Sequence, residues 1–103
     1  MRMPKAYLLL QFTVHDPEKF GLYRQGAAPL MMSHGGKVLV AAGVADIREG
    51  ALPAKLVTII EFPSKADAEA WYTSPEYAAV KHLRHEAAAT ESLVFLDGFT
   101  PPA

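Results

Sequence analysis

The sequence of 103 residues contains no cysteine, and this absence excludes several kinds of chemistry. Disulfides, zinc sites with thiolate ligands, iron–sulfur clusters and cysteine nucleophiles all depend on the thiol group. Disulfides belong mainly to oxidising compartments, whereas thiol-free or reduced chains suit the cytoplasm. A cytoplasmic location is therefore the expectation from composition.

Long apolar runs are also missing. No run is longer than the one from Ala6 to Leu10, whereas a helix needs about 20 apolar residues to span a bilayer. The residues from Met1 to Lys5 lead directly into this run, without the longer apolar region and the cleavage site of a signal peptide. We therefore expect neither a membrane span nor a secretory signal, and Met3 is an alternative first residue to Met1.

Charge of one sign is a further feature that the sequence lacks. Ten Lys and Arg residues stand against eleven Asp and Glu residues, which gives a formal net charge of −1. Nucleic acids and anionic membranes select basic surfaces, so neither is an expected partner. Half of the residues are hydrophobic and a fifth are charged, as in folded domains. We expect one domain over residues 1–103, with a core at 5–98 and a tail at 99–103.

The order of the elements is predicted from periodicity and from capping residues. Runs of apolar and β-branched residues predict four strands. A capping residue followed by proline and an acidic residue predicts the start of a helix. Gly35-Gly36 ends the first helix, in which Gly26 and Pro29 predict a kink near Ala28. The predicted elements are a strand at Ala6–Val14, a helix from Pro17 to the Gly35-Gly36 stop, strands at Lys37–Asp46 and Lys55–Phe62, a helix at Lys65–Thr73, a helix from Pro75 to about Ala89 and a strand at Glu91–Asp97.

This βαββαβ order predicts an α+β, ferredoxin-like fold with a four-stranded antiparallel sheet and the helices on one face. The other sheet face would read polar if it met water. Instead both faces of the strands are apolar, as where Leu39 and Ala41 alternate with Val38 and Val40. Because an apolar patch of this size is a liability on a monomer, we expect a two-fold homodimer packed through the open sheet faces.

Several short motifs along the chain occur together in a known family. They are Asp16-Pro17 with Tyr23, Gly35-Gly36-Lys37, Ile60-Glu61-Phe62-Pro63-Ser64, Ala70-Trp71-Tyr72-Thr73-Ser74-Pro75-Glu76-Tyr77 and Leu83-Arg84. From Lys5 to Gly98 the chain resembles the domain-of-unknown-function family 1330, within the dimeric α+β barrel superfamily. The resemblance implies a ferredoxin-like protomer and a face-to-face dimer, but no activity, because the family has none assigned. Its wider superfamily includes cofactor-free monooxygenases, isomerases, dehalogenase-like proteins and haem-binding proteins. A shared fold does not assign any of these activities to the chain.

One position departs from the pattern of that family. Its members often carry Arg-Gly-Gly at the end of the second strand, where this sequence has Ala41-Ala42-Gly43. The guanidinium of such an arginine can fork onto an anionic ligand. The departure therefore argues against recognition of a carboxylate or phosphate through this position.

Four side chains are candidates for a small-molecule site in the cleft between the sheet and the helices. Tyr23 and His34 lie on the apolar stripe of the first helix, the first as a hydrogen-bond donor and the second as a general base. Glu61 is the sole charged residue inside an apolar strand that begins at Lys55, and Arg84 is a candidate anion clamp. Each also has a structural interpretation: a core tyrosine, a histidine at a helix C-terminus, and an ion pair of Glu61 with Arg84 or Arg24.

Metal and nucleophile motifs are not apparent in the sequence. His82 and His85 are three positions apart on a helix, but two ligands are too few for a metal site. A solvated helix face is the preferred interpretation of this pair. No serine stands in a nucleophile elbow. We expect no bound metal and no bound cofactor.

Two functions remain open at this point. The first is an enzyme or binding protein that acts on a small, mostly apolar molecule in the cleft. The second is a non-catalytic dimeric module, whose cavity is filled by side chains or binds ligands without turnover. A cavity of a few hundred cubic ångströms with Tyr23 and His34 pointing inward favours the first function. The first function is excluded if neighbouring side chains fill the cleft completely. The side chains that could do so are those of Phe20, Leu30, Met31 and Trp71.

Overall fold

A computed structural model describes residues 4–102 of the chain; residues 1–3, with the alternative start at Met3, and residue 103 lie outside the described residues. Four strands form one antiparallel sheet in the order β2-β3-β1-β4, which confirms the predicted α+β, ferredoxin-like fold. No helix within residues 4–102 is both long enough and apolar enough to cross a membrane. The elements are β1 (Ala6–Val14), α1 (Pro17–Ser33), β2 (Lys37–Val44), β3 (Leu56–Phe62), α2 (Lys65–Tyr72), α3 (Pro75–Ala87) and β4 (Ala88–Asp97).

Side-chain caps determine where the three helices begin. The side-chain oxygens of Asp16, Ser64 and Ser74 each accept a hydrogen bond at 3.1 Å from the amide three residues later. Each cap satisfies one of the amides that a helix N-terminus leaves without a partner. At its other end α1 stops before Gly35, whose φ of 86° lies in the left-handed region that glycine adopts freely. These predicted boundaries are confirmed, and α1 continues through Pro29 without a break.

The boundary between α3 and β4 differs from the prediction. The sequence predicted a helix to about Ala89 and a strand from Glu91, but α3 ends at Ala87 and β4 begins at the next residue. Residues 88–90 pair with residues 12–14 of β1. The hydrogen bonds of this ladder outweigh the helix propensity of the alanines at 87–89. Strands β2 and β3 are also slightly shorter than predicted, ending at Val44 and beginning at Leu56.

The helices cover one face of the sheet and bury the core there. Leu8 and Phe62 of the central strands and Trp71 and Tyr77 of the helices are at most 2% exposed. The Trp71 ring lies 5.8 Å from the Phe62 ring and 4.4 Å from the Tyr77 ring, measured between centroids. This aromatic cluster joins α2 and α3 to β3.

The other face of the sheet, here named the open face, carries apolar side chains and no helix. Cross-strand pairing places Val94, Leu9, Ile59 and Val40 in one row across all four strands. Val94 and Val40 are 42% and 37% exposed, and Leu96 in the next row of β4 is 49% exposed. Leu9 and Ile59, in the middle of the row, are partly exposed. Apolar character on both sheet faces, as the sequence predicted, is therefore confirmed.

A backbone irregularity interrupts β2 near its end. The pairing with β3 shifts between Val38 and Val40 and again before Gly43. Between these points Ala42 has a φ of 48°, and its amide donates to Oγ1 of Thr58 at 3.0 Å. A left-handed conformation costs an alanine about 1–2 kcal/mol because its Cβ approaches the following carbonyl oxygen. Ala42 is thus strained at the position where the resembled family often has glycine.

Ala42→Gly is expected to raise the free energy of unfolding by about 0.5–1 kcal/mol, because relief of the strain exceeds the added entropy of the unfolded chain. Urea unfolding followed by circular dichroism measures this gain. Ala41→Gly is the matched control, since Ala41 is not among the residues at positive φ. The control should lose about 0.5–1 kcal/mol, as glycine does in a strand. Equal losses in the two variants would contradict strain at Ala42.

Candidate functional site

A cavity of about 370 Å³ lies between α1 and the helix-covered face of the sheet. Its walls are formed by the inner stripe of α1, by the facing side chains of β1, β2 and β3, and by Trp71. The lining is apolar or aromatic except for the polar side-chain groups of Tyr23, Arg24, Thr58 and Trp71. Both the volume and the lining are typical of sites that bind small organic molecules.

Small side chains leave this space open. Ala27 and Ala28 of α1 and Ala41 and Ala42 of β2 all line the cavity. Their methyl groups are too short to fill the gap between helix and strand to the density of a protein core. The alanines that replace Arg-Gly of the family pattern therefore contribute to the cavity wall.

Larger side chains of the region border the cavity and do not fill it. Phe20, Met31 and Trp71 line its wall, and Leu30 packs against the core beside them. The solid packing by these four residues, which the sequence left as an alternative, does not occur.

Tyr23 enters the cavity wall from α1, as the spacing of the helix predicted. It is 6% exposed, and its hydroxyl oxygen lies 2.6 Å from the hydroxyl oxygen of Tyr77, with either group as the donor. Burial, and after it the neighbouring Tyr77, raises the pKa of Tyr23, while the nearby Arg84 acts in the opposite direction. Tyr23 therefore stays protonated at neutral pH and serves as a hydrogen-bonding group.

Arg84 lies behind this wall and does not border the cavity itself. Its side chain is 1% exposed, and Nη1 donates to Oγ1 of Thr90 at 2.6 Å. The guanidinium carbon lies 5.1 Å from the centroid of the Phe12 ring and 6.0 Å from that of Tyr23. Nε has no hydrogen-bond partner, and no salt bridge to Arg84 is formed within residues 4–102. The cation is thus buried behind two aromatic residues of the cavity wall.

Glu61 does not reach the cavity, and the predicted ion pair with Arg84 or Arg24 is wrong. Side chains alternate along β3, so that Ile60 faces the core and Glu61 faces the open face. There Oε1 of Glu61 accepts from Nζ of Lys5 at 3.4 Å. Lys5 of this ion pair is largely exposed and Glu61 is partly exposed, so solvent screens the pair and it contributes little to stability.

His34 lies at the end of α1 and does not line the cavity. It is the C-cap residue of the helix, and its amide donates to the carbonyl oxygens of Leu30 and Met31 at 3.3 and 3.2 Å. The buried stripe of α1 ends at Met31, one turn before it. The structure therefore brings Tyr23 to the cavity and leaves the predicted general base outside.

His82 and His85 are exposed on α3, and neither borders the cavity. Desolvation, followed by the positive charge of Arg84, lowers the pKa of His85. In the part of the chain from residue 4 to residue 102, no group of three or more His, Asp or Glu side chains is placed to hold a metal ion.

Arg24 is a cavity residue that the sequence interpretation missed. It is exposed, lines the cavity and holds its guanidinium carbon 5.0 Å from the centroid of the Phe20 ring. Phe20, Arg24 and Ala28 are four residues apart, so they form one ridge of α1 beside the stripe that contains Tyr23. This spacing is present in the sequence and could have identified Arg24 as a neighbour of the cavity. Arg24 thus places a positive charge at the exposed side of the cavity.

Comparisons with known proteins agree with this fold. The sequence model of the family "Domain of unknown function (DUF1330)" matches residues 5–99, and no curated protein matches the sequence. A protein of unknown function from Rhodopseudomonas palustris is 23% identical, with a TM-score of 0.70 over 97% of this chain and 86% of that one. SnoaB from Streptomyces nogalater, described as a cofactor-independent oxygenase, is 14% identical, with a TM-score of 0.66 over 97% and 95%. A dimeric protein of unknown function and ferredoxin-like fold from Bacteroides fragilis is 16% identical, with a TM-score of 0.54 over 90% and 94%.

Proposed function

The chain belongs to the DUF1330 family, which is described as a domain of unknown function. We propose its function from the volume and the lining of the cavity. The protein binds a small, mostly apolar molecule between α1 and the sheet, without a bound cofactor. The observation that carries this proposal is the cavity of about 370 Å³, with an apolar wall and few polar side chains. SnoaB, a cofactor-independent oxygenase by its description, has a similar fold, which is compatible with a cofactor-free site.

The polar groups of the cavity favour binding over proton-transfer chemistry. Among the described residues that line it there is no His, Asp or Glu. Tyr23 is kept protonated by its raised pKa, and Arg24 is permanently charged. Both groups donate hydrogen bonds, but neither accepts a proton at neutral pH, as a general base must. Binding without turnover is therefore the role that this wall supports best.

Ala28→Phe is expected to raise the dissociation constant of a neutral aromatic probe, 2-naphthamide, at least about tenfold. Ala28 lines the cavity, so a phenyl ring at this position occupies the volume that the probe needs. Calorimetric titration at neutral pH measures the change. Gln25→Phe is the matched control, because Gln25 is exposed on the same helix and does not line the cavity.

Two outcomes would contradict the proposal. Equal dissociation constants in the natural protein, Ala28→Phe and Gln25→Phe would place the probe outside the cavity. Failure of the natural protein to bind either 2-naphthamide or its carboxylate counterpart, 2-naphthoate, up to the solubility limits of the probes would contradict a small-molecule site in this cavity.

We also propose that the protein forms a homodimer through the open face. A continuous row of apolar side chains crosses this face and is partly exposed, ending at Val94 and Val40. Exposed apolar patches of this extent mark interaction surfaces, and a two-fold axis covers both copies at once. The similarly folded protein from Bacteroides fragilis is described as dimeric.

A cytoplasmic location, expected from a sequence without cysteine, stays part of the proposal.

A further inference from the structure

A positive charge without a balancing carboxylate is buried behind the cavity. Arg84 is 1% exposed, and its Nε has no hydrogen-bond partner within residues 4–102. Its neighbour Thr90 is neutral, and the C-terminal end of α3 supplies only about half an elementary charge. Burial of an ion is costly unless it is paired. The region around Arg84 is therefore prepared to stabilise a negative charge from elsewhere.

A second cation stands at the exposed side of the same cavity. Arg24 lines the cavity over the Phe20 ring, and no salt bridge to it is formed by the described residues. No acidic side chain among the described residues contributes to the lining. Because an apolar cavity screens charge weakly, the two guanidinium groups make its interior electropositive.

Tyr23 connects the buried charge with the cavity. It lines the cavity, and Arg84 is close enough to its hydroxyl to oppose part of the rise in pKa that burial causes. When the Tyr77 hydroxyl donates to the Tyr23 oxygen at 2.6 Å, the Tyr23 hydrogen is free to donate to another acceptor. An anionic acceptor in the cavity would then lie next to Tyr23 with Arg84 behind it.

We infer that the cavity selects small apolar molecules that carry one negative charge, such as a carboxylate or an ionised phenol. The anionic group accepts a hydrogen bond from Tyr23 and is balanced by Arg84, while Arg24 attracts it at the exposed side. This inference rests on the proposed binding function and adds the charge of the ligand.

Two probes of the same shape test the inference, namely 2-naphthoate and its neutral counterpart 2-naphthamide. Calorimetry with the natural protein should give at least about tenfold tighter binding of naphthoate. Arg84→Met removes the charge but keeps an unbranched apolar side chain, so it should abolish this preference. Arg48→Met is the control, because Arg48 is exposed, pairs with Asp46 and does not line the cavity.

A second variant keeps the test informative if Arg84→Met does not fold. Arg84→Lys retains the charge and should retain the preference for naphthoate. Equal binding of the two probes to the natural protein would overturn the inference and leave the proposed function standing. A preference that persists in Arg84→Met, or is lost in Arg84→Lys, would overturn the role of Arg84. Failure of both probes to bind would instead contradict the proposed function.

Discussion

Ile59→Lys should convert the proposed dimer into a folded monomer. Ile59 lies on the central strand β3 of the open face, opposite Leu9 on one side and Val40 on the other. In a two-fold dimer the substitution buries a lysine of each protomer without a partner, and an unpaired buried charge costs about 3–5 kcal/mol. The dissociation constant should therefore rise at least about a hundredfold. In the monomer the lysine lies on an exposed face, so the fold should survive.

Sedimentation equilibrium at micromolar concentration distinguishes the protomer mass of 11.2 kDa from twice that mass. Leu22→Lys is the control, since Leu22 is 53% exposed on α1 and far from the open face. This control should sediment like the natural protein. A natural protein that sediments at 11.2 kDa at every concentration would contradict the dimer, as would an unchanged dimer in Ile59→Lys.

Trp71→Ala should lower the free energy of unfolding by about 3–5 kcal/mol. Trp71 is 2% exposed, and its ring lies 4.4 Å from the Tyr77 ring and 5.8 Å from the Phe62 ring. Truncation removes these contacts and leaves a void that joins the cavity, because Trp71 is part of the cavity wall. A domain of this size has a total stability of about 5–15 kcal/mol, so the variant should be close to unfolding.

Trp71→Phe removes part of the ring volume but no hydrogen bond. Nε1 of Trp71 has no hydrogen-bond partner in the described part of the chain, so phenylalanine gives up volume alone and should cost less than about 2 kcal/mol. Urea unfolding followed by circular dichroism measures the free energy of unfolding of both variants. Tryptophan fluorescence cannot be used, because Trp71 is the single tryptophan. A Phe variant as unstable as the Ala variant would contradict the packing role of the ring cluster.

The predictable parts of the fold depend on local chemistry. Asp16, Ser64 and Ser74 cap their helices through hydrogen bonds within three residues, so the sequence alone contains the signal. The end of α3 was not predictable in this way. Ala88 has extended dihedral angles because it pairs with Val14 of β1, and that partner is distant in sequence.

The candidate site could be predicted only in part for a related reason. The spacing of apolar residues on α1 was sufficient to place Tyr23 in the cavity wall. His34 was expected on the same stripe, but the C-cap leaves helical geometry, with φ −95° and ψ 12°, and the stripe ends earlier. The sequence shows that Glu61 and Ile60 lie on opposite faces of β3. It does not show which of the two faces the helices cover. Burial of Arg84 without an acidic partner depends on the packing of α1, α3 and β1 together.

Occupation of the cavity between α1 and the sheet by a small apolar molecule is tested most directly by backbone amide chemical shifts. Isotope-labelled protein would be titrated with 2-naphthamide and its amide signals followed by nuclear magnetic resonance. We expect the largest shifts at the cavity wall, including Tyr23, Ala27 and Thr58, and little change at Leu39 and Leu96 on the open face. Largest shifts on the open face, or no shifts at saturating probe, would contradict a ligand site in this cavity.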